Sequence, residues 1–371
     1  METIERRVSG LMAACARADT PELLFEQVSQ RLRTIVPFDG AGWFATDPST
    51  VLATLPVRIE NIEPGDCETF WERECRVEDA LLFRDLARSE SGVGTLYAAT
   101  DDHPLRSARY REFLAPQGYG DELRGVCRLG ENVWGVLDLY RERSRTPFSR
   151  ADLEVLRAVA PAMALALRTF VSRAQVPAGS AAGTGPGTAL YDANGSLLSL
   201  DEQAERLLTE AAGPDWASLP YSMTPVRAVV ARAMAIQAGT DRGPATARIR
   251  AASGRWLALH ASYLRGADGG AGPVALTIEP AKSAQLAPII VEAYALTPRE
   301  QEITRAVARG LSNPEIAAEL FLSPHTVRDH LKAIFAKVGV GSRGELVAKL
   351  FAEHYGPSLH SASAPVQHVS F

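Results

Sequence analysis

Six side chains near the end of the chain have the chemistry to hold a polyanion and to discriminate what it carries. Arg328, Asp329 and Lys332 lie within five residues of one another. Arginine and lysine donate to guanine O6 and N7, and aspartate accepts from cytosine N4. Ser323 and Thr326 stand where a helix is predicted to begin. There, free backbone N–H groups and the helix dipole favour an anion such as phosphate. Lys337 adds a positive charge near the end of the same helix, placed for a phosphate rather than a base. His330 suits packing or a hydrogen bond better than reading. Elsewhere the reactive side chains are scattered. Cys15, Cys67, Cys75 and Cys127 form no CxxC pair and read as free thiols of a reducing compartment. Asp101-Asp102-His103-Pro104 reads as a turn before a helix. His260 falls on a predicted strand, where a heme-ligand role is open but a solvent-facing or neighbour-satisfying role is commoner. GxSxG, GxxxxGK[ST] and HExxH are all missing, so no catalytic residue, metal site or cofactor is expected.

The elements that position the six residues are marked by unusually complete start signals. Thr297-Pro298-Arg299-Glu300, Ser312-Asn313-Pro314-Glu315 and Ser342-Arg343-Gly344-Glu345 are each a capping box, the first with proline at the opening helical position. Ser323-Pro324 starts the remaining helix, and Gly310 ends the first. Apolar stripes set the inward faces: Ile303, Val307 and Leu311; Ile316, Ala317 and Leu320; Val327, Leu331, Ile334, Phe335 and Val338; and Leu346, Val347, Leu350 and Phe351. With Phe321-Leu322 as the turn, the middle pair reads as a helix-turn-helix. Arg328, Asp329, Lys332 and Ala333 then project from a face other than the buried one.

The segment resembles the LuxR-type helix-turn-helix, an all-α four-helix domain. The resemblance is carried by Leu296 to Glu300, Gly310, Asn313, Glu315-Ile316-Ala317, Leu320, Ser323, Thr326-Val327, His330, Lys337 and Ser342-Arg343, at the family spacing without a gap. Phe335 and Val338 are the small departures. The resemblance implies that the third helix enters the major groove and that Arg328, Asp329 and Lys332 meet bases.

Upstream, 371 residues exceed what one core supports, so several domains are expected. Residues 173–186, rich in Gly, Ala, Pro and Ser, read as a flexible linker, and 282–295 as a connector that docks. This leaves domains at 1–172, 187–281 and 296–356, with a disordered tail at 357–371. In the first, helices at the start, a strand at Ala41–Thr46, a hairpin of Glu122–Leu129 with Val133–Arg141 about Gly130-Glu131-Asn132, and a Ser149-capped helix to Phe170 predict an α+β fold. Its end, ENVWGVLDLYRERSRTPFSRADLEVLRAVAPAMALALR, resembles a GAF domain. That implies a sensor or dimerisation module, with no ligand signature. In the second, strands at Thr188–Asp192 and Ser196–Leu200 flank Asn194-Gly195, a strong hairpin signal. A helix at Gln203–Glu210 and three later strands follow, again α+β. TALYDANGSLLSLDEQAERLL and SGRWLALHASYL resemble a PAS-type domain. No internal repeat is apparent in the sequence.

The composite reading is a cytoplasmic, dimeric, sequence-specific regulator that binds double-stranded DNA. A small effector or a partner would modulate it through the upstream domains, and RNA polymerase is a candidate partner. The alternatives are an acyl-homoserine-lactone-type receptor and an enzyme with an accessory DNA module. No apolar run of the length that spans a bilayer is evident, and no signal peptide opens the chain. The formal charge of −5 argues against DNA binding only on average. Between residues 295 and 355, eight Lys or Arg face seven Asp or Glu, and within Pro324–Val338 three face one. The acidity belongs upstream, and the basic surface is confined to one helix.

Overall fold

The computed structural model describes residues 4–63, 67–173, 185–217, 223–267, 269–281, 285, 289, 293–294 and 296–347. The core of the expected linker, most of the connector, Leu350 and Phe351 of the fourth helix, and the tail lie outside these residues. The chain divides into two compact units: Met1–Phe170 with Gly185–Pro280, and Val171–Thr184 with Ala281–Phe371.

The first unit holds two five-stranded antiparallel sheets. Helices α1 (Ile4–Arg17) and α2 (Pro21–Arg33) precede the first sheet. The Thr20 side chain accepts from the Leu23 N–H and Pro21 opens α2, a cap worth about 1 kcal/mol. The strands are β1 (Gly40–Thr46), β2 (Ala53–Glu60), β3 (Val93–Thr95), β4 (Tyr119–Leu129) and β5 (Asn132–Glu142), in the order β2-β1-β5-β4-β3. Between them stand α3 (Cys67–Arg76), α4 (Phe83–Arg88) and α5 (Leu96–Ala99), which the sequence pattern did not signal, and a π-helical turn at Tyr110–Leu114. The β4–β5 hairpin pairs Leu129 with Asn132, and Gly130 takes a positive φ of 62° at the turn. Asp101 and Asp102 also adopt positive φ ahead of a short 3-10 turn at Pro104–Arg106, matching the turn expected there.

Strict alternation along β5 does not separate a wet face from a dry one. Val133 through Tyr140 are all buried, because both faces of the sheet are covered. On one face lies α6 (Arg150–Arg173). A Cβ at Gly125 would come within 2.9 Å of Leu156, and one at Gly135 within 2.7 Å of Leu167, so those glycines let α6 approach the sheet closely. The stretch Arg150–Ser172 is long and apolar enough, by length and composition alone, to cross a bilayer, which corrects the expectation that no such run exists. Its buried stripe of Leu156, Val159, Met163 and Leu167 faces protein instead.

The second sheet consists of β6 (Gly187–Tyr191), β7 (Leu197–Leu200), β8 (Thr246–Arg250), β9 (Trp256–Arg265) and β10 (Ala271–Pro280), in the order β7-β6-β10-β9-β8. Counted within each sheet, both orders are 2-1-5-4-3. Helix α7 (Glu202–Ala212) is capped by Asp201, whose carboxylate accepts from the Ala204 N–H at 2.7 Å. Helix α8 (Thr224–Ala238) carries apolar residues on every side, with Arg227 and Arg232 as its charges, and is buried from Thr224 to Ala235 except Arg227. Such a helix lies inside a core rather than on it.

That core is continuous across the two sheets. One cluster of buried side chains runs from Phe44, Phe70, Trp71 and Tyr140 to Val226, Val230, Leu257 and Leu276. Ion pairs reinforce the junction. Arg248 Nε and Nη2 donate to Asp47 Oδ2 and Oδ1 at 2.7 and 2.6 Å, and Asp241 lies 3.0 Å from Arg232 and 3.6 Å from Arg84.

The second unit contains three described helices of a bundle: Pro298–Ala308, Asn313–Glu319 and Pro324–Val338. Residues 343–347 begin a further helix. Ile303, Ala306, Val307, Ile316, Ala317, Val327, Leu331, Ile334, Val338 and Leu346 form the core, while Leu311, Leu320 and Phe335 are only half-buried.

Candidate nucleic-acid interface

Start signals in the second unit act as the sequence predicts. Thr297 Oγ1 accepts from the Glu300 N–H, and the Glu300 carboxylate accepts from the Thr297 N–H at 2.7 Å. The Ser312 N–H and hydroxyl both donate to Glu315, at 2.7 and 2.6 Å. Ser342 Oγ accepts from the Glu345 N–H at 3.1 Å, but the Glu345 carboxylate accepts from Gly341 N–H rather than from the cap residue's own. Gly310 takes φ +87° just past the first helix, as a chain-reversing glycine must.

The second and third helices are joined through Phe321 and Leu322. Phe321 is 95% exposed and holds φ +55°, a left-handed conformation that is costly for a bulky residue. Arg299 Nη2 donates to the Leu320 carbonyl at 2.6 Å, and Arg343 Nη1 to Asn313 Oδ1 at 3.1 Å. Two basic residues of this segment therefore brace the turn and the second helix, and Arg309 pairs with Glu319.

The third helix presents the face expected of a reader. Val327, Leu331, Ile334 and Val338 are buried against the other helices, while Arg328, Asp329 and Lys332 are exposed. Arg328 makes no ion pair among the described residues. Asp329 lies 3.8 Å from Lys332 Nζ and 3.7 Å from His325 Nε2. His325 is thus part of the same surface, a residue the sequence reading passed over although its i,i+4 spacing to Asp329 was legible. Ser323 Oγ accepts from the Thr326 N–H at 3.0 Å and lies 2.8 Å from Thr326 Oγ1, so both hydroxyls stand at the helix start as expected. His330 is half-buried.

Lys337 stands apart from these residues. Its Nζ lies 2.6 Å from Glu300 Oε2, and Glu300 is 4% exposed. Burial opposes ionisation of Glu300, but hydrogen bonds from Lys337 and Thr297 outweigh it and hold the carboxyl below its usual range. The lysine thereby joins the end of the third helix to the cap of the first. The sequence offers no local cue for a pair separated by 37 positions.

In the first unit, a small cavity of about 20 Å³ lies between β1, β2, β5, α3 and the π-helical turn. Phe44, Phe70, Trp71, Phe113 and Tyr140 line it. Phe44 stacks on Phe70 at 5.9 Å, and Trp71 stands edge-on to Phe44 at 5.6 Å. Gly42 is required here, since a Cβ would sit 2.8 Å from the Phe44 ring. Beside the cavity runs a buried charge network. Arg124 lies 2.8 Å from Glu74 and 3.0 Å from Asp138, and Arg109 pairs with Glu122 at 2.6 Å. Burial and the neighbouring Glu122 push the Asp138 carboxyl well up, against the pull of Arg124. Cys15 and Cys75 are buried, which pushes their thiols up to about 11 and about 12 and leaves them unreactive. His260 is exposed, with Nε2 3.0 Å from Ser262 Oγ, and no three potential metal ligands cluster among the described residues.

The geometry defines a helix-turn-helix module in a chain that also carries a two-sheet α+β unit. Residues 294–350 match the family described as bacterial regulatory proteins, luxR family, and residues 20–167 match the GAF domain. The chain therefore carries a LuxR-type helix-turn-helix domain and a GAF domain. A Mycobacterium bovis protein named as an HTH-type transcriptional regulator is 52% identical over 52 residues, 14% of this chain and 6% of that protein. A nitrate/nitrite response regulator protein homolog of Haemophilus influenzae is 41% identical over 59 residues, 16% of this chain and 28% of that protein. The chain thus matches only a small part of these relatives' length. Among solved structures, Escherichia coli SdiA is 12% identical, with 95% of this chain and 99% of that one covered, at a TM-score of 0.34.

Proposed function

We propose that this protein is a sequence-specific DNA-binding transcriptional regulator, modulated by a small effector at its N-terminal domains, and not an enzyme. The observation that carries the reading is the exposed face of Pro324–Val338, where Arg328, Asp329 and Lys332 stand out while Val327, Leu331, Ile334 and Val338 anchor the helix. These three residues contact bases in the major groove, and Ser323 and Thr326 contact phosphate. Lys337 reaches phosphate only by sharing or leaving Glu300. The partner is double-stranded DNA, with RNA polymerase engaged at the promoter, in the cytoplasm. The protein acts as a homodimer, because paired half-sites multiply the modest affinity of one weakly basic helix.

The sensing domains are 1–172 and 187–281, and the reader is 296–356. The shared 2-1-5-4-3 strand order and the Asp201-capped α7 support a PAS-like reading of the second. The aromatic lining of the small cavity, Phe44, Phe70, Trp71, Phe113 and Tyr140, is what supports effector binding in the first.

Selection of bound sequences from random DNA by the full chain tests the reading. Arg328→Ala and Lys332→Ala should each cost about 1–3 kcal/mol at the selected site and relax preference at one position. Enrichment of no sequence, or variants that bind and select like the parent, would refute it.

A further inference from the structure

Helix α6 is apolar well beyond the stripe that meets the sheet. Leu156, Val159, Met163 and Leu167 are buried, while Glu154, Arg157, Ala158, Pro161 and Leu165 on the opposite side are exposed and Arg168 is half-buried. At about 3.6 residues per turn these six fall on one outward stripe, with Glu154, Pro161 and Arg168 stacked two turns apart. Leu165 is 47% exposed in the middle of it. We propose that this outward face of α6 docks on the same face of a second copy of the chain, antiparallel and centred on Pro161.

The order of side chains along the stripe selects the occupant and its direction. An acid, Glu154, stands at the start, a base, Arg168, at the end, and Ala158, Pro161 and Leu165 lie between them. A twofold axis at Pro161 sets Glu154 against the partner's Arg168 and Arg168 against the partner's Glu154, so both ends attract. Parallel pairing sets glutamate on glutamate and arginine on arginine. Ala158 and Pro161 are short, so two helices can approach closely at the axis, with Leu165 lying along the stem of the partner's Arg157.

Arg168 supplies an independent sign. Its side chain is half-buried yet makes no hydrogen bond or ion pair among the described residues. Burial pulls its pKa down from the usual arginine range, and no neighbouring acid offsets it. Glu154 is already oriented, because Arg157 Nη1 donates to both of its carboxylate oxygens at 2.8 Å. One helix pair covers less than the roughly 800 Å² per partner of a standard interface, so the association is micromolar. The contact serves the homodimer proposed above and rests on that reading. Two reading helices joined through it gain avidity on paired half-sites.

The test is sedimentation velocity of the full chain from about 1 to about 100 µM. Glu154→Arg and Arg168→Glu each place like charges at both ends of an antiparallel pair, and each should weaken self-association about tenfold. The double variant exchanges the charges and should return to within about threefold of the parent, which also shows that the single losses are not misfolding. Parallel pairing opposes like charges in all four chains and so predicts neither loss nor rescue. Leu165→Glu, at an exposed position, should weaken association at least about tenfold. A dimer indifferent to these variants, or a double variant no better than the singles, would overturn this contact while leaving the homodimer standing. A parent that stays monomeric at about 100 µM would overturn both. Flotation of that monomer with phosphatidylcholine vesicles would assign the face to lipid instead.

Discussion

Replacing Lys337 by methionine separates two roles that one lysine can hold. In the structure its ammonium lies 2.6 Å from Glu300 Oε2, and Glu300 is nearly enclosed while the lysine side chain is 36% exposed. A charge-assisted hydrogen bond contributes about 1.5–3 kcal/mol, reduced here by solvent around the lysine. Glu300 keeps its bond from the Thr297 N–H in the variant, so the carboxylate is not left bare. The expected loss is about 1–2 kcal/mol. Glu300→Gln loses the pair and weakens the capping box, and should cost about 2–3 kcal/mol. The double variant should cost about 1 kcal/mol less than the sum, since the shared interaction is removed once.

The sign of the pH dependence is fixed. Glu300 ionises below its unfolded value of about 4.3. The pair therefore stabilises fully above that value and fades as pH falls through the folded one. The difference between parent and Lys337→Met should be constant near neutrality and vanish in acid. All five tryptophans lie between residues 43 and 256, so fluorescence does not report on this unit. Native-state hydrogen exchange at Ile303, Val307 and Leu331 reads it directly. A phosphate contact would instead appear as a salt slope lowered by about 0.9 in DNA binding, with exchange unchanged. Unchanged exchange at pH 7 would refute the structural pairing.

Three further outcomes are expected. Burial pushes the Asp121 carboxyl up to about 6, despite hydrogen bonds from the Phe148 and Glu122 N–H groups. Stability should fall by up to about 3 kcal/mol as pH rises from about 4 to about 6, and Asp121→Asn should remove that slope in denaturant melts. Phe321→Gly relieves a left-handed residue that buries nothing, so exchange protection of the second unit should hold or rise by up to about 1 kcal/mol; a clear loss would show that the ring is packed. Arg248→Met removes the cationic partner of Asp47, which is 1% exposed but still accepts from the Ser49 N–H and hydroxyl, and should destabilise the first unit by about 2 kcal/mol, with Asp47→Asn in the same background recovering part of it.

What was legible in the sequence depended on how local the determining physics is. Caps are local: Thr297 and Glu300, Ser312 and Glu315, or Ser323 and Thr326 sit three residues apart, and the bonds that define them form within one turn. The face bearing Arg328 and Lys332 followed from the stripe of Val327, Leu331, Ile334 and Val338, because one buried face leaves the rest exposed. Helix α8 escaped because burial on all sides erases the period that marks a helix. The aromatic cavity escaped for another reason. Phe44, Phe70, Phe113 and Tyr140 come from four separate elements, and only the sheet order brings them together. Lys337 is the sharpest case. Its charge and helical position allow a phosphate contact, while a carboxylate 37 residues away claims its ammonium. A helix face therefore fixes which side chains can reach DNA. Which of them are free to do so is decided by partners from other helices, and on this domain that leaves Arg328 as the least encumbered cation of the third helix.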